Sequence, residues 1–168
     1  MRRAVLLIAL LQSLPGSWSL AQDRASRFAG KWLRDDLVGR DSNHLPRVTW
    51  EITFDDRTMT RRESSEKTEN ARTFVYNLDG TDTSTEVPNR PGRQVIHKLK
   101  RIESKEIETT ETIPGSSLTM VITEVWKITN KGNTLTVVRK FGTPGSNSPI
   151  QIADEKYSFQ RVPSGSDR

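Results

Sequence analysis

Cysteine is absent from this chain, which removes disulfides, thiolate metal sites, thiol nucleophiles and the lipid-bearing cysteine of a bacterial lipoprotein. Histidine is scarce as well: His44 and His97 stand far apart, so a histidine-based metal site is not expected. Neither Gly115 nor the Gly142–Gly145 run resembles a phosphate cradle, and no motif supports Ser/His/Asp chemistry. Asp35-Asp36 and Asp55-Asp56 are paired carboxylates of the kind that start turns rather than cleave glycosides. No cofactor motif, internal repeat, helical periodicity of useful length or N-x-S/T sequon occurs. The net charge of +5 gives no one-signed stripe, because Arg61, Arg62, Lys98, Lys100 and Arg101 alternate with Glu63, Glu66, Glu103 and Glu106. A nucleic-acid groove needs such a stripe with aromatics for stacking, so no nucleic-acid partner is expected.

A long hydrophobic run occurs only at the start. Arg2 and Arg3 precede the apolar run Ala4–Leu11, Pro15-Gly16 breaks it, and Ser19-Leu20-Ala21 supplies small residues. This pattern predicts a secretory signal over residues 1–21, whose apolar run Ala4–Leu11 is shorter than the roughly 20 apolar residues that span a bilayer. The remaining chain, with no further apolar span, is expected to be secreted or periplasmic. It forms one domain over 22–162, followed by a disordered tail at 163–168. A chain of that length can fold without staples.

What fills 28–162 is a succession of short alternating segments. Val48, Trp50, Ile52 and Phe54 alternate with polar residues, then Asp55-Asp56-Arg57 turns the chain. Residues 64–70 read as an exposed connection. Phe74, Tyr76 and Leu78 alternate next and run into Asp79-Gly80, which predicts a type I′ hairpin. Runs over 93–103, 105–112, 118–129, 134–141 and 150–162 complete a meander. The fold class is all-β: an antiparallel up-and-down β-barrel of about 8–10 strands, with an open sandwich as the competing arrangement.

Apolar patterning also sets registers. With 130–133 as a loop, Ile128 faces Leu135, Trp126 faces Val137, Glu124 faces Arg139 and Ile122 faces Phe141, all on one face. An ion pair therefore sits within an apolar face. It is either a satisfied interior contact or a handle for a ligand's polar group. The first hairpin pairs Phe54 with Met59, Ile52 with Arg61 and Trp50 with Glu63, again mixing charge with apolar residues. Such a face suits an amphiphilic cavity or an open barrel mouth. His97, between Val95 and Leu99, reads as a packed or hydrogen-bonded residue.

Phe28-Ala29-Gly30-Lys31-Trp32 resembles the G-x-W opening of the calycin superfamily, in particular lipocalin-like proteins exported by bacteria. Tyr157-Ser158-Phe159-Gln160-Arg161-Val162 resembles the closing strand of that family. The resemblance implies a structural barrel end in which Arg161 stacks on Trp32 beside Gly30. It also implies a non-enzymatic protein that binds a small hydrophobic or amphiphilic molecule. Its lining would come from Trp50, Ile52, Phe74 and Tyr76 on one side and Ile122, Trp126, Val137 and Phe141 on the other, with Glu124 and Arg139 as the polar handle. A scaffold barrel without a ligand, docking a protein through loops 35–46 or 142–149, is the alternative. A calycin-type enzyme using Glu124 with Arg139 or His97 is a third.

Overall fold

The computed structural model describes residues 26–35, 46–87, 92–116, 118–143 and 154–163. The expected signal segment, the His44 loop, most of the two candidate docking loops and tail residues 164–168 lie outside the described residues.

Among the described residues, ten antiparallel strands form one nearly closed barrel: β1 (Gly30–Arg34), β2 (Val48–Phe54), β3 (Thr58–Ser65), β4 (Thr68–Asn77), β5 (Thr83–Glu86), β6 (Gln94–Ile102), β7 (Glu106–Ile113), β8 (Met120–Thr129), β9 (Thr134–Gly142) and β10 (Glu155–Arg161). Hydrogen bonding runs β4-β3-β2-β1-β10-β9-β8-β7-β6-β5, so the last strand pairs with the first. Alternation is the cause. Trp50 and Ile52 are buried while Glu51 and Thr53 face solvent, as a period of two on a half-buried sheet requires. The two apolar registers are those the sequence predicts, Ile52 opposite Arg61 and Glu124 opposite Arg139 included.

Turn chemistry sets where strands stop. Asp55 Oδ1 accepts the backbone N–H groups of Arg57 at 2.8 Å and Thr58 at 2.7 Å, closing the β2–β3 corner. Asn130, Lys131 and Gly132 all adopt positive φ in the β8–β9 loop.

Two expectations are corrected. The exposed connection over 64–70 shrinks to a turn at Glu66-Lys67, because Thr68–Asn70 already belong to β4. Asp79-Gly80 does not make a hairpin. Only Gly80 has positive φ (77°), whereas a type I′ turn needs it at both central residues, and β5 pairs with β6 instead of β4. The turn therefore marks the seam of the barrel. Side chains close it: Thr83 Oγ1 donates to the Val75 carbonyl, and the His97 ring packs edge-on against Phe74 at 5.5 Å and Tyr76 at 5.9 Å.

Candidate functional site

One barrel end is plugged. A short 3₁₀ turn, Ser26–Phe28, brings the Phe28 carbonyl to 2.9 Å from Trp32 Nε1, and both side chains are buried. The Arg161 guanidinium lies 4.2 Å from the Trp32 ring and donates to the carbonyls of Gly132 (2.9 Å), Ala29 (2.7 Å) and Arg27 (2.5 Å). Gly30 has φ +127°, and a Cβ there would stand 2.8 Å from Arg161 Nη1. Glycine is thus favoured by its positive φ, and a Cβ there would also make the arginine tip shift. Gly30, Trp32 and Arg161 come together as the sequence predicts.

The barrel interior is organised around a residue the sequence did not single out as a site. Arg61 projects inward from β3, opposite Ile52 and Phe74, and is 1% exposed. Its Nη1 donates to Glu124 Oε2 at 2.5 Å and its Nη2 to Glu111 Oε1 at 2.9 Å. Its face lies 4.0 Å from the Phe74 ring, 4.5 Å from Trp50 and 5.3 Å from Trp126. Glu124 is wholly buried and fully satisfied. It also accepts from Trp126 Nε1 at 3.0 Å and from Arg139 Nε and Nη2 at 2.9 and 2.6 Å. Tyr76 Oη donates to Glu111 Oε1 at 3.4 Å, and Trp50 Nε1 donates to Glu63 Oε2 at 2.9 Å.

Electrostatics follow from burial and pairing. Desolvation opposes the charge on Glu124, but Arg61 and Arg139 outweigh it and lower the pKa. Desolvation likewise opposes the charge on Arg61, and Glu124 with the other neighbouring anions outweighs it and raises the pKa. Glu111 is raised, because burial exceeds what Arg61 returns. His97 falls to about 4, from burial first and the Arg61 charge second, so the ring is neutral near pH 7. A carboxylate held between two guanidiniums makes a weak base.

Three polar atoms on these buried walls have no hydrogen-bond partner among the described residues: Arg61 Nε, His97 Nδ1 and Thr109 Oγ1. The other ring nitrogen of His97 shares a 2.8 Å hydrogen bond with Thr85 Oγ1. Thr109 lies beside the Tyr76 hydroxyl without reaching normal hydrogen-bond geometry.

The structure gathers Trp50, Phe74, Tyr76, Glu124, Trp126 and Arg139 around Arg61. Ile52 and Val137 belong to the continuous buried core. Ile122 and Phe141 sit opposite each other on β8 and β9, outside that cluster. Sequence reasoning missed Glu111 and Thr109, although Ile107 and Ile113 share their face of Glu106–Ile113 and mark it as the inward one. For Arg61 a signal existed, its register opposite Ile52 and beside Trp50.

No family model matches the chain, and no curated protein matches it in sequence. Solved structures do resemble it. A secretory abundant heat soluble protein from Ramazzottius varieornatus superposes with TM-score 0.60 at 13% identity, over 81% of this chain and 96% of that one. The Schistosoma mansoni fatty acid binding protein in complex with arachidonic acid gives 0.54 at 19% identity, over 83% and 99%. The apo form of Caenorhabditis elegans lipid binding protein 8 gives 0.54 at 15%, over 82% and 96%. The likeness is one of fold: this chain is a nearly closed antiparallel β-barrel with the architecture of those proteins.

Proposed function

We propose that this protein is exported and binds a small amphiphilic molecule inside its barrel. The apolar part of the guest lies against Trp50, Phe74 and Trp126, and its polar group meets the Arg61 cluster. The observation that carries this reading is the set of three unpartnered polar atoms on the inner walls: Arg61 Nε, His97 Nδ1 and Thr109 Oγ1. A buried donor or acceptor left unmatched costs about 1–3 kcal/mol, so native interiors match them with protein, water or ligand. Solved structures of the same fold include proteins named for fatty acid and lipid binding, which supports the reading.

The test is native mass spectrometry of protein purified from its own host, followed by titration with the retained molecule while Trp50 and Trp126 fluorescence is recorded. A retained amphiphile that quenches that fluorescence is the expected result. Protein that emerges empty, and binds nothing from a panel of lipids, retinoids and aromatic amphiphiles, overturns the proposal.

A second reading has its own observation. Trp50 packs 5.3 Å from Trp126 and 4.5 Å from Phe159, and Tyr76 meets Trp126 edge-on at 6.3 Å, so aromatic side chains meet across the middle of the barrel. A barrel filled in this way also serves as a scaffold for protein contacts. Empty protein that co-purifies with one protein partner from the exported fraction selects this alternative.

A further inference from the structure

Charge inside the barrel restricts what kind of polar group can enter. Arg61 and Arg139 bring two positive charges to the deep cluster, and Glu111 and Glu124 bring two negative ones. Both Nη atoms of Arg61 are already bonded to carboxylates, and Arg139 spends Nε and Nη2 on Glu124. Glu63 adds a third carboxylate on the same face, two residues along β3. A guest carboxylate at this depth would meet no unmatched guanidinium and would add an uncompensated negative charge, which a buried site tolerates poorly. An ammonium group would suit the excess of carboxylates but cannot accept from Arg61 Nε–H, so that buried donor would stay unmatched.

We infer that the interior selects an amphiphile with an uncharged oxygen head group, a hydroxyl or an amide carbonyl, over the free acid or the amine of the same chain. Such an oxygen accepts from Arg61 Nε–H. Thr109 Oγ1 both donates and accepts, and so matches either an alcohol or an amide. The three unpartnered atoms belong to side chains that are at most 1% exposed, so they are set for a buried partner. Phe74 and Tyr76 link them: Arg61 and His97 both pack on Phe74, and His97 and Thr109 both adjoin Tyr76.

This inference rests on the binding function proposed above, and the experiment separates the two. Four ligands with one alkyl chain, ending in carboxylic acid, primary amide, alcohol or amine, are titrated into the full-length protein at pH 7.5. Tryptophan fluorescence and calorimetry report binding. The amide and the alcohol are expected to bind at least tenfold more tightly than the acid and the amine. An acid that binds as tightly as the amide overturns the head-group inference while leaving the barrel a ligand-binding one. Failure of all four leaves water as the partner of these atoms and overturns both.

Glu111→Gln sharpens the test by removing one carboxylate from Arg61 with almost no change in shape. In that variant the acid-to-amide affinity ratio is expected to rise about tenfold, and an unchanged ratio counts against the charge argument. Circular dichroism establishes that the variant is folded, and the wild-type series stands independently of it.

Discussion

Arg161 and Arg61 both lie over a tryptophan, yet they live in opposite electrostatic settings. Arg161 caps Trp32 at the plugged end and gives its hydrogen bonds to three backbone carbonyls, with no carboxylate paired to it among the described residues. Arg61 sits among Trp50, Phe74 and Trp126 in the barrel and is matched by two buried carboxylates. Backbone carbonyls hold a cation in place without depending on the ionisation of any side chain. Carboxylates make the interior depend on charge balance. The plugged end is thus held by groups that do not titrate, whereas the Arg61 cluster depends on the ionisation of its carboxylates.

The comparison breaks most visibly at Glu124. Glu124→Ala strands Arg61 and Arg139 together, and urea denaturation is expected to show a loss of about 3–5 kcal/mol, the cost of breaking a buried pair from one side. A loss below 1 kcal/mol would mean that water already reaches the cluster.

Acid titration gives the next largest effect. The His97 pKa drops from 6.5 in the unfolded chain to about 4 in the barrel, so the unfolded state takes the proton first. Its contribution is present above pH 6.5, declines as pH falls, and levels off below about 4, for a change of roughly 3 kcal/mol. Glu111 acts in the opposite sense: its raised pKa means that stability declines as pH rises above 4.5. The difference between wild type and His97→Gln across pH 4–7 isolates the histidine contribution, and parallel stability curves for the two proteins would remove it. No such pH leg is expected from Arg161.

The smallest effect belongs to the plugged end. Arg161→Met keeps the methylene packing on Trp32 and loses the cation–π contact and the bonds to carbonyls, for about 1–2 kcal/mol in thermal or urea unfolding. A loss as large as that of Glu124→Ala would show that the two arginines are not different in kind.

Much of the barrel was legible in the sequence. Trp50-Ile52 and Ile122–Ile128 alternate cleanly, so their registers and the Glu124–Arg139 pair followed from hydrophobic pattern alone. G-x-W together with the closing strand located the Trp32–Arg161 contact. The Asp79-Gly80 seam was misread because turn chemistry reports local backbone preference, whereas the partner of β5 is set by how the whole sheet curls. Glu111 was overlooked for a different reason. Ile107 and Ile113 mark its face of Glu106–Ile113 as inward, but Thr109 and Glu111 between them dilute the apolar pattern, and only the folded sheet sets Glu111 against Arg61, fifty residues earlier in the chain.

By itself, then, the order of residues determined strand periodicity, the antiparallel meander and the mixed character of its inner face, because these depend on neighbours within a strand or across one turn. Tertiary structure alone decided that Arg61 from β3, Glu111 from β7 and Glu124 from β8 share one buried centre. It also decided that β4 and β5 meet at an unpaired seam. Both outcomes depend on closing a curved sheet, which brings together side chains from strands that no local register connects.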